Sequence, residues 1–149
     1  MTLNNPPHPY SNDIRQLDTI TIAQPAAGTS IDFTSSDGER IELLSASFSL
    51  TLANVGAARA VTITLTYATI GTIIAYGPVE QAINTTVAYT AMAGGTNFID
   101  PTPTNAVIAM PQRLMIPVGA TLAIDVDGIA VGDQFTAANL LYFYYKELA

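Results

Sequence analysis

Few side chains of this protein could carry out nucleophilic or metal chemistry. Its 149 residues include one histidine and no cysteine. A catalytic hydroxyl needs a base held beside it, and the lone His8 lies among Pro6, Pro7 and Pro9, where no rigid pocket would orient it. A zinc or iron centre needs several His or Cys ligands. We therefore predict no catalytic residue, no metal site and no cofactor, so that the chain is not an enzyme.

Carboxylates provide the remaining chemistry. Glu39 and Glu42 differ in parity, so a regular strand would point them to opposite faces rather than pair them as a glycosidase requires. Asp125 and Asp127 share a face, but it is the solvated side of an alternating strand. With Asp133 they resemble part of a calcium loop, although the spacing departs from the EF-hand pattern and no Glu closes it. We interpret these residues as exposed carboxylates at a strand end.

The polar composition indicates association with other protein. Charged residues make up 11% of the chain, against about 25% in ordinary soluble domains, and the mean hydropathy is +0.33. Interface cores are depleted in charge in the same way. The composition therefore favours an assembling protein, while the alternative is a tightly packed, Thr-rich β-protein with a neutral surface.

The charge balance argues against nucleic acid and membrane as partners. The net charge is −7, and the five cationic residues are scattered along the chain at Arg15, Arg40, Arg59, Arg113 and Lys146. Nucleic-acid and anionic-lipid binding both depend on clustered basic residues. The N-terminus lacks the order of a signal peptide, and no apolar run reaches membrane-spanning length. We expect a soluble protein made in a cytoplasm.

The chain divides into an arm and one domain. Residues 1–12 are rich in proline, which favours an extended arm. Residues 13–149 show period-two alternation broken by turn residues such as Asp37-Gly38. Eight to ten short strands at this spacing predict an all-β, single-domain β-sandwich, and at this length an eight-stranded jelly roll.

Individual segments give sharper expectations. Residues 61–67 alternate apolar side chains with threonine and form the clearest strand. The parity of apolar residues switches near Leu43-Leu44, which indicates a β-bulge or a strand start. A strand over residues 72–76 is expected to end at Gly77-Pro78. Residues 78–82 and 133–138 are the only weak helical candidates.

The aromatic residues near the C-terminus alternate faces of a strand. Tyr142 and Tyr144 share one face, and Phe143 and Tyr145 share the other, so one pair fills the core and the other covers an interface or a second sheet. The Pro-rich arm is either a flexible terminus, as chain ends commonly are, or an extended segment that clasps a neighbouring subunit, which we favour. The predicted interface residues are Pro6, Pro7, Pro9, Tyr10, Tyr142 and Tyr144.

The turn pattern resembles that of tailed-phage virion proteins. Residues 114–122 contain a Pro-small-Gly turn leading into a strand, and residues 126–135 contain a Gly-Asp-Gln turn leading into the closing strand. Residues 40–48 and 58–61 also resemble early strands of those proteins. The resemblance spans residues 18–147 and is to capsid decoration (cement) proteins of the jelly-roll type. It implies a homotrimer that binds the major capsid protein on the outside of the virion, after synthesis in the host cytoplasm, and stabilises the shell.

Two other functions remain open at this level. The chain could be another virion component, such as a tail, fibre or adaptor protein, or a carbohydrate-binding or adhesin β-sandwich module. An exposed row of aromatic rings with adjacent amides would favour sugar binding. Aromatic residues buried against other chains would favour a virion role.

Overall fold

A computed structural model of the chain describes residues 14–35, 39–94, 96–99 and 104–146. The predicted arm, residues 1–12, and the Asp37-Gly38 turn lie outside these ranges. The strands are β1 (Ile14–Ile22), β2 (Ile31–Thr34), β3 (Glu39–Thr51), β4 (Arg59–Tyr67), β5 (Gly71–Gln81), β6 (Thr86–Ala93), β7 (Phe98–Ile99), β8 (Asn105–Met110), β9 (Leu114–Ile116), β10 (Ala120–Val126), β11 (Gln134–Phe135) and β12 (Ala138–Lys146). Within the described ranges, no helix is long and apolar enough to cross a membrane.

The strands form two sheets packed as a sandwich. The larger sheet has the order β1-β12-β3-β6-β8-β7, with β9 and β11 also paired to β3, and the smaller sheet has the order β2-β10-β4-β5. All pairs are antiparallel except β6 with β8. The predicted all-β sandwich is confirmed.

The main pairs are nested in chain order. β1 pairs with β12, β2 with β10, β3 with β6 and β4 with β5, as in one long hairpin rolled into two sheets. A double Greek key produces this kind of arrangement. The order favours the eight-stranded jelly-roll interpretation, with β7, β8, β9 and β11 as additions to it.

Alternating side chains from both sheets fill the space between them. On β4, Val61, Ile63 and Leu65 are buried while the threonines between them remain half-exposed, as the sequence predicted. Phe48 stacks on Tyr89 at a ring distance of 5.1 Å, and Phe135 meets Phe48 edge-on at 5.8 Å. The largest fully buried side chains are Tyr89, Phe135, Ile31, Leu43, Leu50, Leu52, Ile63, Leu65, Ile108, Ile116, Leu122 and Ile124.

The parity switch in β3 is a β-bulge. Leu141 of β12 is opposite Ser45, but the next residue, Tyr142, is opposite Leu43, so that Leu44 is the extra residue. Because one inserted residue exchanges the two faces, the core positions change from Ile41 and Leu43 to the even-numbered residues that follow. Glu42, between Ile41 and Leu43, therefore lies on the outer side of the larger sheet.

β5 does not end at Gly77-Pro78. It continues to Gln81, and a register shift opposite Val61 accommodates Gly77 at a φ of 111°. The helical candidates at 78–82 and 133–138 are also wrong, because these residues lie mainly in the end of β5, in β11 and at the start of β12. Pairing with a neighbouring strand outweighs the weak local preference for helix.

Gly77 gives a direct test of this bulge. A Cβ at this position would lie 2.7 Å from the carbonyl oxygen of Val61, and the positive φ is unfavourable for any L side chain. We expect Gly77→Ala to lower the free energy of unfolding by about 2 kcal/mol or more in urea denaturation. Gly71→Ala is the matched control, because Gly71 also has a positive φ but no atom within 4 Å of a Cβ. Equal losses in the two variants would contradict the role assigned to the close contact.

One buried polar network lies inside the sandwich. Gln81 is fully buried, and its Nε2 donates to the carbonyl oxygens of Leu50 and Thr85, both at 2.9 Å. Its Oε1 accepts a hydrogen bond from the Tyr89 hydroxyl at 3.0 Å. Burial raises the pKa of Tyr89 well above its ordinary value of about 10, which keeps the hydroxyl available as a donor.

A second network joins the loops at one end of the sandwich. Asp133 is 1% exposed, and its carboxylate accepts hydrogen bonds from the Ala53 amide at 2.9 Å and the Ala130 amide at 2.7 Å. It also forms an ion pair with the Arg59 guanidinium. The Asp133 carbonyl oxygen accepts the Gly28 amide at 2.8 Å. One residue therefore fastens three loops that are distant in sequence.

Candidate interaction surface

The outer face of the smaller sheet is polar. Among the described side chains, the outward positions are three threonines on β4, Thr121, Ala123 and Asp125 on β10, and Asp32 and Thr34 on β2, while most side chains of β5 lie outside the described set. The hydroxyls of Thr34 and Thr121 hydrogen-bond to each other across the strands at 2.9 Å. Among the described residues, none of the large exposed apolar side chains lies on this sheet. The described part of this face suits contact with water.

The outer face of the larger sheet carries several large apolar side chains. Of the eight described large apolar side chains that are exposed, four lie here: Leu17 at 58%, Phe98 at 53%, Met92 at 41% and Met115 at 37%. We use the name outer apolar face for these four residues together with the half-buried Val107, Leu141 and Phe143. Ser45, Ser47 and Ser49 of β3 lie on the same outer side, so the apolar side chains are spread across the sheet among polar ones.

The strand registers bring these residues to one side. Leu17 on β1 is opposite Phe143 on β12, and Phe98 on β7 is opposite Val107 on β8. Met92 alternates with Tyr89 and Ala91, which point into the core. Because successive residues of a strand point to opposite faces, the core positions of each strand determine which side chains must point outward.

A depression lies at one end of this outer side. Its volume is about 230 Å³, and it is lined by Arg40, Glu42, Arg113, Met115 and Tyr145. Glu42 is only 6% exposed and accepts a hydrogen bond from the Tyr145 hydroxyl. β3 lies between β9 and β12 here, so that Glu42 is opposite Met115 on one side and Phe143 on the other.

The backbone at the edge of the depression is strained. Arg113 has a φ of 61°, a left-handed conformation that costs a residue with a side chain roughly 1–2 kcal/mol. Such conformations are often found at binding and catalytic sites, where the surrounding structure holds them. Arg113, just before β9, adopts this conformation where it lines the depression.

The carboxylates considered for catalysis or for calcium binding do not come together in one site. Some of them stabilise the fold, and the others lie apart from one another. Asp133 is occupied by Arg59 and two backbone amides, so it does not join Asp125 and Asp127 in a metal loop. Asp125 accepts a hydrogen bond from the amide of Val126 at 2.8 Å. In the described part of the chain, no group of three or more His, Cys, Asp or Glu residues could hold a metal ion. The side chain of Glu39 lies outside the described set.

The predicted interface residues fall into two groups. Pro6, Pro7, Pro9 and Tyr10 lie outside the described residues. Tyr142 is 9% exposed and Tyr144 packs against the core, with their ring centroids 6.5 Å apart. Their role as an interface stays a prediction. The opposite pair, Phe143 and Tyr145, lies on the outer side of the larger sheet.

Sequence reasoning did not identify most of the outer apolar face. The available signal was a large apolar residue at a position of opposite parity to the core, as for Met92 after Tyr89 and Ala91. Phe98 gave no such signal, because β7 has only two residues. The proximity of Arg40 and Arg113 at the depression also depends on pairing between distant segments, β3 and β9.

Comparisons with known proteins do not place the chain in a family. No family model matches it, and no curated protein matches it. A solved structure described as "Structure of infectious bursal disease virus Gt strain" is similar at 14% identity, with a TM-score of 0.25. The match covers 94% of this chain but only 36% of the other. A likeness at this TM-score carries no argument about function.

Proposed function

We propose that the chain is a structural virion protein that assembles through the outer apolar face and decorates the outside of a capsid as a cement protein. The observation that carries the proposal is the difference between the two sheets. Four of the eight described exposed large apolar side chains lie on the outside of the larger sheet, and none of the eight lies on the smaller sheet. The resemblance of the turns to tailed-phage decoration proteins supplies the capsid as the partner.

The size of the apolar surface supports attachment at many points rather than one tight contact. Burying a whole apolar side chain contributes about 1.5–3 kcal/mol, so four half-exposed ones contribute a few kcal/mol together. Association itself costs an estimated 4–15 kcal/mol. Several copies held together, as in the predicted homotrimer, would add their contacts without repeating the full free-energy cost of association for each copy.

The residues beside the outer apolar face support a protein partner. Arginine, tyrosine and methionine are enriched in protein interfaces and at their energetic centres, and all three types line the depression. A sugar-binding platform would instead need adjacent exposed rings. The exposed Phe98 on β7 is four strand spacings from β12, or about 19 Å, and the neighbouring Phe143 and Tyr145 on β12 are only partly exposed.

The acidic balance supports a position outside the shell. With a net charge of −7, the chain would be repelled by packaged nucleic acid. We assign it no catalytic role, because the buried Glu42 is hydrogen-bonded to Tyr145 and the other carboxylates have the positions described above.

Attachment to virions tests the proposal. Particles of the virus that encodes the chain would be prepared without it and mixed with purified protein, and bound protein would be measured after sedimentation. We expect binding by the unmodified chain and at least about tenfold weaker binding by Met92→Ser combined with Phe98→Ser. Light scattering of the free protein at micromolar concentration should give a trimer or a larger species.

Two controls make the result specific. Val55→Ser combined with Ile70→Ser makes the same chemical change at residues that are 59% and 74% exposed but lie in loops away from this face. This variant should bind like the unmodified chain, and both variants should keep their melting temperatures. No binding to particles, or equal losses in the two double variants, would count against the proposal.

A further inference from the structure

β1 differs from the other edge strands in lacking protection. Exposed edges invite pairing with other chains, and proteins protect them with short strands, bulges or proline. Among the described strands, β7 has two residues, β2 has four, and β5 contains a bulge at Gly77 followed by Pro78. β1 has nine residues, no proline and an unbroken register along β12.

Within the described part of the chain, β1 is also exposed on both faces. Every side chain from Gln16 to Thr21 is exposed, including Leu17 at 58% on one face and Ile20 at 36% on the other. None of its residues belongs to the buried core, and Ile22 at its end is only partly buried. Such a strand has one paired edge and little packing, so a partner strand on its free edge would add hydrogen bonds and cover apolar surface.

We propose that β1 pairs antiparallel with β1 of a second copy about a twofold axis, with Leu17 opposite Leu17. The two larger sheets then form one continuous sheet. A twofold axis perpendicular to the sheet keeps each face on its own side, so residues opposite each other must have the same parity. Pairing is therefore centred on one residue rather than between two.

The side chains of β1 favour one of the three pairing registers centred near the middle of the strand. A centre at Asp18 places two carboxylates directly opposite, which is unfavourable. A centre at Thr19 places Leu17 opposite Thr21. A centre at Leu17 brings the two leucines together and places Asp18 opposite the neutral Gln16. This last register buries the most exposed apolar side chain of the strand and opposes no like charges.

The contact is weak when it acts alone. One pair of short strands buries less than the roughly 1,000 Å² of a stable interface. The pairing therefore rests on the proposed function, in which other contacts already hold the copies close together. Because a twofold contact joins copies in pairs, it would link neighbouring trimers rather than build one. The edge of β1 is separate from most of the outer apolar face, and Leu17 is the residue they share.

Single cysteines can detect this pairing, because the natural chain has none. Directly opposite residues in an antiparallel pair have Cα atoms about 4.5–5.5 Å apart, within the range of a disulfide. Under mild oxidation at high protein concentration, Leu17→Cys should give a covalent dimer in good yield. In the same register the Cα atoms of two Thr19 residues are about 14 Å apart and those of two Thr21 residues about 27 Å, so Thr19→Cys and Thr21→Cys should not cross-link.

The controls separate this inference from the proposed function. Thr64→Cys on the smaller sheet measures random collision. Failure of Leu17→Cys to exceed it would overturn the pairing, as would a higher yield for Thr19→Cys or Asp18→Cys than for Leu17→Cys. Adding Met92→Ser and Phe98→Ser to Leu17→Cys should leave the cross-link intact. Cross-linking without particle attachment would refute the capsid role alone, and attachment without cross-linking would refute the strand pairing alone.

Discussion

Asp133→Asn is expected to lower the free energy of unfolding by about 3–5 kcal/mol, the usual cost of removing one partner from a buried ion pair. The substitution keeps the size of the side chain but removes the counter-ion of Arg59. The Arg59 side chain is only 10% exposed, so water cannot replace that counter-ion fully. It also replaces one carboxylate oxygen with a donor near the Ala53 or Ala130 amide. In thermal unfolding, a loss of this size would lower Tm by roughly 10 °C for a domain of this length.

Asp127→Asn is the matched control, since Asp127 lies in the same loop region and is exposed. It should change stability by less than about 0.5 kcal/mol. Adding Arg59→Leu to Asp133→Asn should recover part of the loss, because the unpaired charge is removed as well. Arg59 Nε is buried without a hydrogen-bond partner among the described atoms, which reduces the net value of the pair. A loss below about 1 kcal/mol for Asp133→Asn would show that the loops do not depend on it.

Gln81→Leu is expected to cost about 2–4 kcal/mol in urea unfolding. The apolar side chain has a similar size, but it leaves the Tyr89 hydroxyl without its partner and removes one hydrogen bond from the Leu50 carbonyl, which is also paired with β6. Each buried polar group left unpaired costs about 1–3 kcal/mol. The Thr85 carbonyl suffers less, because it also accepts the amide of Leu52 at 3.0 Å.

The double variant Gln81→Leu with Tyr89→Phe tests the cause of this loss. Removing the unpaired Tyr89 hydroxyl should make the double variant more stable than Gln81→Leu alone by about 1–2 kcal/mol. Gln112→Leu, at an exposed position, should leave the unfolding midpoint nearly unchanged. If Tyr89→Phe adds a further loss to Gln81→Leu, packing rather than hydrogen bonding accounts for the effect.

The two networks have a direct bearing on the proposed surface. The Asp133 network fixes the loops at one end, and the Gln81 network ties β5 to β3 and β6 inside the sandwich. Both lie away from the outer apolar face. Variants that weaken them should therefore lower stability before they alter the contact chemistry, whereas Met92→Ser and Phe98→Ser should alter contact at nearly constant stability.

Several features could be predicted from local pattern. The alternation in residues 61–67 predicted β4 and its buried face, and the parity switch at Leu43-Leu44 predicted the bulge in β3. The switch was also consistent with a strand start, and the pairing with β12 shows the bulge. Both patterns depend on neighbours within a few residues, since a strand repeats every two positions. The shortage of charge predicts contact with other subunits without giving its location, and this stays a prediction.

Other features depend on pairing between distant segments. Parity grouped Tyr142 with Tyr144 and Phe143 with Tyr145, but only the position of the second sheet decides that the first pair lies on the core side. The same applies to Gly77, whose bulge depends on the Val61 carbonyl, and to Asp133, whose partner Arg59 is 74 positions away. Local spacing determines which side chains share a face. The order in which the strands pair decides which face is covered and which remains open for a partner.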